Sequence, residues 1–495
     1  MQHENKHYAQ LINIWDADRI RDNSSPGVGK SSQTAACVCG DLLSHPDHHW
    51  VIIAPEHKLI DGSHNLLENY DGVHIWGKNH FEHFSPECYI HGCTKCPFKE
   101  ECGYLQQEWS AHILIMPYEM LQTVAHMTGE FDYIRSTFHL TGWWGLVIEE
   151  DPFRLWMREL PLTPELLQYC ECMNTRTIIY MGGQYQIQDV RIRLDAVQTY
   201  AEWQLYQMQY CDTLYLHSFH NQTTLFGTKM INLRSYDKVI FNCATTPREL
   251  ESLYFGHQFS ACISVGTDLT NPIIQIGSRW GLYNTQKREE DVMSFLCKIR
   301  PVGKMMVVTK KFAEKDFEAL SDTVVVHYGS ARGMNTFEDD YALVVIYGAY
   351  HYDPLTKVKM MVCGITEALI GQMEDAEVIQ ALHRFRPINR PDIPIILMSN
   401  HIYDSAIWTT VPATIIDVVN YPEKMEEYSQ SQYYTFQTFF EWQRRFIFKE
   451  KSKHECVVDY RRTHTVKDTA AFFEISESTV KRLWKRSYTA LNRDE

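Results

Sequence analysis

Short apolar runs alternate along the chain with longer stretches whose apolar residues recur at helical spacing. WVIIA at 50–54, GLVI at 145–148, KMMVVT at 304–309, DTVVV at 322–326, YALVVIYG at 341–348 and IPIILMS at 393–399 read as strands buried on both faces. QTAACVCGDLL at 33–43 is compatible with a helix. Alternating strands and helices predict an α/β fold with parallel sheets. Residues 160–230 read as largely helical, led by LDAVQTYAEWQLYQMQY at 194–210, whose aromatic and apolar positions suit a core. Neither an internal repeat nor a low-complexity linker interrupts the pattern.

Several segments carry candidate chemistry. Ser24-Ser25-Pro26-Gly27-Val28-Gly29-Lys30-Ser31-Ser32 precedes the helix at 33–43 and has the make-up of a phosphate-binding loop. Its small residues let backbone N–H groups curl around a phosphate, and the helix N-terminus adds its positive dipole end. Lys30 can then reach the β/γ oxygens and Ser31 can ligate Mg2+. Ser24 stands where the strict pattern has its first glycine. At 145–152, GLVIEEDP is an apolar run ending in acids, as expected of a strand that delivers carboxylates to its C-terminal edge. Glu149 is assigned to the metal side, and Glu150 to orienting and deprotonating the attacking water. The alternative is a strand ending in a solvated acidic turn. Farther on, His327-Tyr328-Gly329-Ser330-Ala331-Arg332-Gly333-Met334-Asn335 lies between two apolar strands. Gln380-Ala381-Leu382-His383-Arg384-Phe385-Arg386-Pro387 sets Gln380 and Arg384 on one helix face, with Arg386 just before a proline stop. Such arginines can stabilise a γ-phosphate in the transition state, or simply complement a helix dipole.

Composition limits the readings. With 495 residues, 44% hydrophobic and 22% charged, the chain is long enough for two or three domains with cores of their own. There is no apolar stretch of membrane-spanning length, and the opening MQHENKHYAQ lacks the features of a secretory signal, so no membrane partner and an intracellular, reducing location are expected. The net charge of -15 argues against a uniformly basic nucleic-acid coat but leaves room for a local basic channel. Residues 441–495 hold 13 Lys and Arg against 9 Asp and Glu.

Of the 14 cysteines, Cys88, Cys93, Cys96 and Cys102 form a C-x4-C-x2-C-x5-C pattern. Four thiolates this close can converge on one centre, and the spacing suits either structural Zn2+ or a [4Fe-4S] cluster. In the tail, 465–486 reads as two short helices joined by a turn, similar to a helix-turn-helix. Ile475, Val480 and Leu483 would fill its core and Ser476 would cap its second helix, leaving Lys481 and Arg482 exposed toward phosphates or base edges. A plain helical hairpin or a protein-binding module fits the same residues.

In order and spacing, these segments resemble the motifs of superfamily 2 helicases over roughly residues 20–400. Pro55-Glu56-His57-Lys58-Leu59 is similar to motif Ia, with His57 toward the nucleic-acid backbone. Val239-Ile240-Phe241-Asn242-Cys243-Ala244-Thr245-Thr246 is similar to motif III, which couples hydrolysis to strand movement through Thr245. Arg332, Gly333 and Asn335 match motif V, and Gln380, Arg384 and Arg386 match motif VI. The acidic box departs from the family's D-E-x-H by reading Glu149-Glu150-Asp151-Pro152.

The placement of the four cysteines, and the segment AHILIMPYEML at 111–121 that follows them, resemble the XPD/DinG-like iron-sulfur helicases and favour [4Fe-4S] over Zn2+. The resemblance implies two RecA-like P-loop lobes with ATP and Mg2+ in the cleft, and movement 5' to 3' along single-stranded and forked DNA. It also implies an arch-forming insertion. The expected layout is lobe 1 at 1–160 with the cysteine insertion at 80–110, a helical insertion at 161–230, a return to lobe 1 at 231–280, lobe 2 at 281–415 and an all-α tail at 430–495. The leading expectation is an ATP-dependent DNA helicase, engaged in replication or repair, whose tail also binds duplex DNA. The competing one is a DNA-binding regulator or replication-initiation protein switched by ATP without processive unwinding.

Overall fold

The computed structural model describes residues 2–55, 66–82, 97–118, 141–219, 222–266, 273–275, 304–318, 322–328, 341–383, 395–398, 464–473 and 475–491, with isolated positions at 57, 60, 84, 85, 88, 320, 390, 393, 457, 458, 460 and 461. They group into two compact units. The first holds residues 1–267 and 351–384, and the second holds 268–331, 338–350 and 385–495.

The first unit is built on a seven-stranded sheet in the order β12-β1-β11-β5-β2-β4-β3, with every pairing parallel. Its strands are β1 (Arg19–Asp22), β2 (His49–Ala54), β3 (Val73–His74), β4 (Ile113–Pro117), β5 (Trp144–Glu149), β11 (Lys238–Asn242) and β12 (Ala261–Ile263). β4, β5 and β11 are buried along their whole length because side chains of opposite parity fill two separate cores. Val51, Ile53, Leu146, Ile148 and Phe241 enter one core, while Trp50, Ile52, Val147 and Ile240 enter the other. Gly145 is what lets Trp50 lie flat across β5, since a Cβ there would meet the indole at 2.3 Å. Helices α1 (Gln2–Asn13) and α2 (Lys30–Ser44) flank β1 in sequence, and Leu11, Ala35 and Val38 bury against the second core.

The helical expectation for 160–230 does not hold. Only α3 (Tyr200–Met208), the stretch that carried the reading, is a helix of substance there. The rest is mainly a five-stranded antiparallel sheet in the order β6-β10-β9-β8-β7, made of β6 (Met157–Leu162), β7 (Cys170–Tyr180), β8 (Gly183–Ile192), β9 (Thr213–Phe219) and β10 (Gln222–Thr228). β7 is almost wholly exposed and β8 alternates, so this sheet carries a polar face that hides its apolar period. Met181 and Gly182, both at positive φ, close the β7–β8 hairpin.

Helices α5 (Pro354–Val362) and α6 (Glu367–His383), expected in lobe 2, instead belong to the first unit, as does α4 (Glu249–Phe255). Val358, Met360, Ile370 and Met373 share a core with Ile187 and Phe226 of the antiparallel sheet. Lys359 pairs with Glu159 at 2.6 Å, and Tyr180 donates to Glu367 at 3.0 Å.

The second unit contains a five-stranded parallel sheet ordered β13-β17-β16-β14-β15: β13 (Ile273–Gln275), β14 (Lys304–Thr309), β15 (Thr323–His327), β16 (Tyr341–Tyr347) and β17 (Ile395–Met398). Near the C-terminus, α7 (Val466–Phe473) and α8 (Glu477–Leu491) enclose Val457, Ala470, Phe472 and Val480, with Ile475 and Leu483 against them. Ser476 accepts from the Thr479 amide at 3.2 Å, as expected of a cap. No described helix is long and apolar enough to cross a membrane.

Candidate nucleotide site

β1 and β5 are separated only by β11, so the loops after β1 and β5 leave the same sheet edge close together. Between β1 and α2 the chain turns through Gly27 and Gly29, at φ 87° and 84°, a left-handed conformation that turns successive N–H groups inward around a concavity. Lys30 opens α2 and folds back on the loop, donating to the Ser24 carbonyl at 2.6 Å and to that of Ser25 at 3.3 Å. Burial pushes its ammonium below the ordinary lysine range against the pull of Asp22, Glu149 and Glu150. Phosphate oxygens are the acceptors that can replace those two carbonyls. Val28 is buried, and Ser32 lies 3.5 Å from Asn69.

Ser24, the departure from the glycine pattern, is fully buried. Its hydroxyl accepts from the Val265 amide at 3.0 Å, and its own amide donates to Asp22 at 3.0 Å. A glycine would lose the bond that ties the loop to the segment after β12. Asp22 is bonded in turn to His7 of α1, both side chains being fully buried. Burial raises the Asp22 carboxyl, but the His7 bond, the charge of Lys30 and the Ser24 bond together leave it below its ordinary value.

Glu149 ends β5 and faces this loop. It accepts from Ser31 at 2.9 Å, Tyr70 at 2.8 Å and Asn242 at 3.0 Å. Burial pushes its carboxyl up, and these three donors counter the rise only in part. A hydroxyl and a buried carboxylate within hydrogen-bond reach form an all-oxygen donor set, which fits Mg2+. Glu150 follows at φ 70°, unfavourable for a residue with a side chain. Its amide donates to the Asn242 carbonyl at 2.9 Å, while Tyr118 donates to its carbonyl at 3.0 Å and to that of Glu149 at 2.6 Å. Those bonds hold a strained backbone at the residue expected to orient water.

The segment after β11 joins this acidic turn to α6. Thr246 donates to Asp151 at 2.7 Å, and Gln380 donates to Thr245 at 2.8 Å. Arg21, buried by 97% of its side chain, supports this segment from behind by bonding the Thr246 carbonyl and pairing with the fully buried Glu251. The structure thus gathers Lys30, Ser31, Glu149, Glu150, Thr245 and Gln380 at one end of the first unit.

Five contributors were not singled out in the sequence: Tyr70, Tyr118, Arg21, Asp22 and His7. Each has a partner distant in sequence and carries no local signature. His57, expected at the nucleic-acid face, lies 3.1 Å from His74 and stacks on Trp76 with ring centroids 4.7 Å apart. Arg332, Gly333, Asn335, Arg384, Arg386, Cys93 and Cys96 lie outside the described residues. Cys88 is half-buried, and Cys102 packs against the first core. On α8, Lys481 and Arg482 are exposed, with Lys481 3.9 Å from Glu477.

No family model and no curated protein matches the chain. Among solved structures, apo XPD superposes with a TM-score of 0.51 at 11% identity, covering 84% of this chain and all of that one. S. tokodaii Xpd4 gives 0.46 at 9% identity, covering 87% and 99%. S. cerevisiae Dbp5 bound to RNA and ADP BeF3 gives 0.39 at 9%, covering 88% and 93%. The first of these likenesses, with the two parallel sheets, establishes the architecture as two RecA-like lobes.

Proposed function

We propose that the chain is an ATP-driven helicase or translocase acting on single-stranded DNA. The observation that carries this reading is the continuous bonding from the phosphate loop through Ser31 and Glu149, and from the acidic turn through Asp151, Thr246, Thr245 and Gln380. A passive nucleotide pocket has no need of the second half of that chain. Backbone amides around Gly27 and Gly29 and the Lys30 ammonium bind and orient the phosphates. Ser31 and Glu149 would hold Mg2+, which when bound neutralises charge on the β and γ oxygens. Glu150 orients the attacking water and takes its proton. Thr246 and Thr245 carry the state of the acidic turn to α6, and the motif resemblance assigns Arg384 and Arg386 to the γ-phosphate.

Single-stranded and forked DNA as substrate, 5' to 3' movement, Arg332 and Asn335 on the strand, Gly333 at the nucleotide, and duplex binding by the tail rest on the motif resemblance. So does a [4Fe-4S] cluster on Cys88, Cys93, Cys96 and Cys102; iron, sulfide and zinc analysis of protein purified without air decides between it and Zn2+. The deciding experiment is ATP hydrolysis with and without single-stranded DNA, for wild type, Lys30→Ala and Glu150→Gln. Strong stimulation, reduced about 10²-fold or more in both variants, is expected. Turnover indifferent to DNA would replace the motor by the ATP-switched regulator.

A further inference from the structure

At the far end of α2 from the phosphate loop, three potential ligands converge. Asp41 lies in the last turn of the helix, His45 ends it, and His48 immediately precedes β2. The Asp41 carboxylate is 3.3 Å from His45 Nδ1 and 2.9 Å from His48 Nδ1, and one ligand atom from each residue lies within 4.8 Å of the others. Trp50 Nε1 donates to the same carboxylate at 3.0 Å. That indole bond fixes the carboxylate from the core side, as an outer hydrogen bond fixes a metal ligand. His48 is held flat between rings, 3.9 Å from Trp143 and 4.5 Å from His45. The exposures of 8% for Asp41, 16% for His48 and 55% for His45 describe a site anchored in the protein and open to solvent on one side.

We propose that Asp41, His45 and His48 bind a borderline divalent cation of the Zn2+ class. Two imidazole nitrogens and one carboxylate suit Zn2+, Ni2+ or Cu2+, whereas Mg2+ and Ca2+ take oxygen sets. On binding, each Nδ1 that bears a proton releases it to solvent and turns its lone pair to the ion, and water completes the coordination on the exposed side. Asp41 is eleven residues beyond Lys30, about 16 Å along the helix at ~1.5 Å per residue, so the ion touches no phosphate. It staples the end of α2 to the start of β2. This site is separate from the thiolate set and does not rest on the motor reading.

The test uses the intact protein as purified and Co2+ as the probe, read by visible absorption and by metal content after desalting. Wild type and His112→Ala, which alters a neighbouring exposed histidine, retain about one equivalent more Co2+ than His45→Ala/His48→Phe. That equivalent shows ligand-field bands without thiolate charge transfer. Phe at 48 keeps a ring against Trp143, and Asp41→Asn, which keeps an acceptor for Trp50, serves as a second variant should the first misfold. Co2+ and Zn2+ raise the thermal midpoint of wild type and not of the variants. Equal uptake by wild type and the Asp41, His45 and His48 variants, or cobalt bound only through sulfur, overturns the proposal.

Discussion

Glu149 is held between opposing forces. Burial favours its neutral form, and the donors Ser31, Tyr70 and Asn242 favour its charge. In the proposed motor this carboxylate must be ionised to hold Mg2+, so it is expected to set the acidic limit of turnover, with activity rising as pH climbs through its pKa. Removing a donor raises that pKa further. Asn242→Ala and Tyr70→Phe therefore shift the acidic limb of the kcat/KM profile to higher pH, with the basic limb in place. An unmoved acidic limb would show that another group governs it. Ser24→Gly restores the common glycine but severs the bond to the Val265 amide, and it is expected to weaken ATP binding without lowering kcat. The loop through Gly27 and Gly29 and the Glu149–Glu150 turn were readable as local structure because each is contiguous in sequence. Tyr70 and Arg21 were not, because only the fold brings them near their partners.

Strands and helices divide in the same way. The parallel strands β2, β5, β14 and β16 were legible from their apolar runs, because a strand covered on both faces has no polar positions to blur it. β7 and β8 were missed because one face meets solvent, and YQIQDVRI reads as polar unless its alternation is counted. Within the parallel sheet, Gly145→Ala forces a methyl into the Trp50 ring and is expected to cost about 1–3 kcal/mol, measurable as a lowered denaturation midpoint. Thr246→Val keeps the volume of the side chain but cuts the bond to Asp151. It should lower kcat roughly ten- to a hundredfold while leaving KM for ATP nearly unchanged. A mutant that lost only affinity would contradict a role in the acidic turn.

For the whole molecule, charge is distributed rather than uniform: an acidic chain carries a tail with an excess of basic residues. In the proposed duplex binding, Lys481 and Arg482 displace counterions from DNA phosphates, so Lys481→Ala/Arg482→Ala is expected to flatten its salt dependence by about two contacts. ATPase stimulated by single strands stays unaltered. A salt slope unchanged in the double variant would mean that the exposed face of α8 serves another partner. The lobes' sheets were foreseeable from the sequence, whereas the grouping of α5 and α6 with the first unit was not, because it depends on cores shared with Phe226 and Ile187. One joint reaches beyond the lobe interior. His7 bonds Asp22, and Asp22 holds the amide of Ser24, so α1 is mechanically continuous with the loop proposed to wrap the phosphates. Filling that loop should therefore slow amide hydrogen exchange in α1, which would make this helix a reporter of occupancy at the proposed nucleotide site.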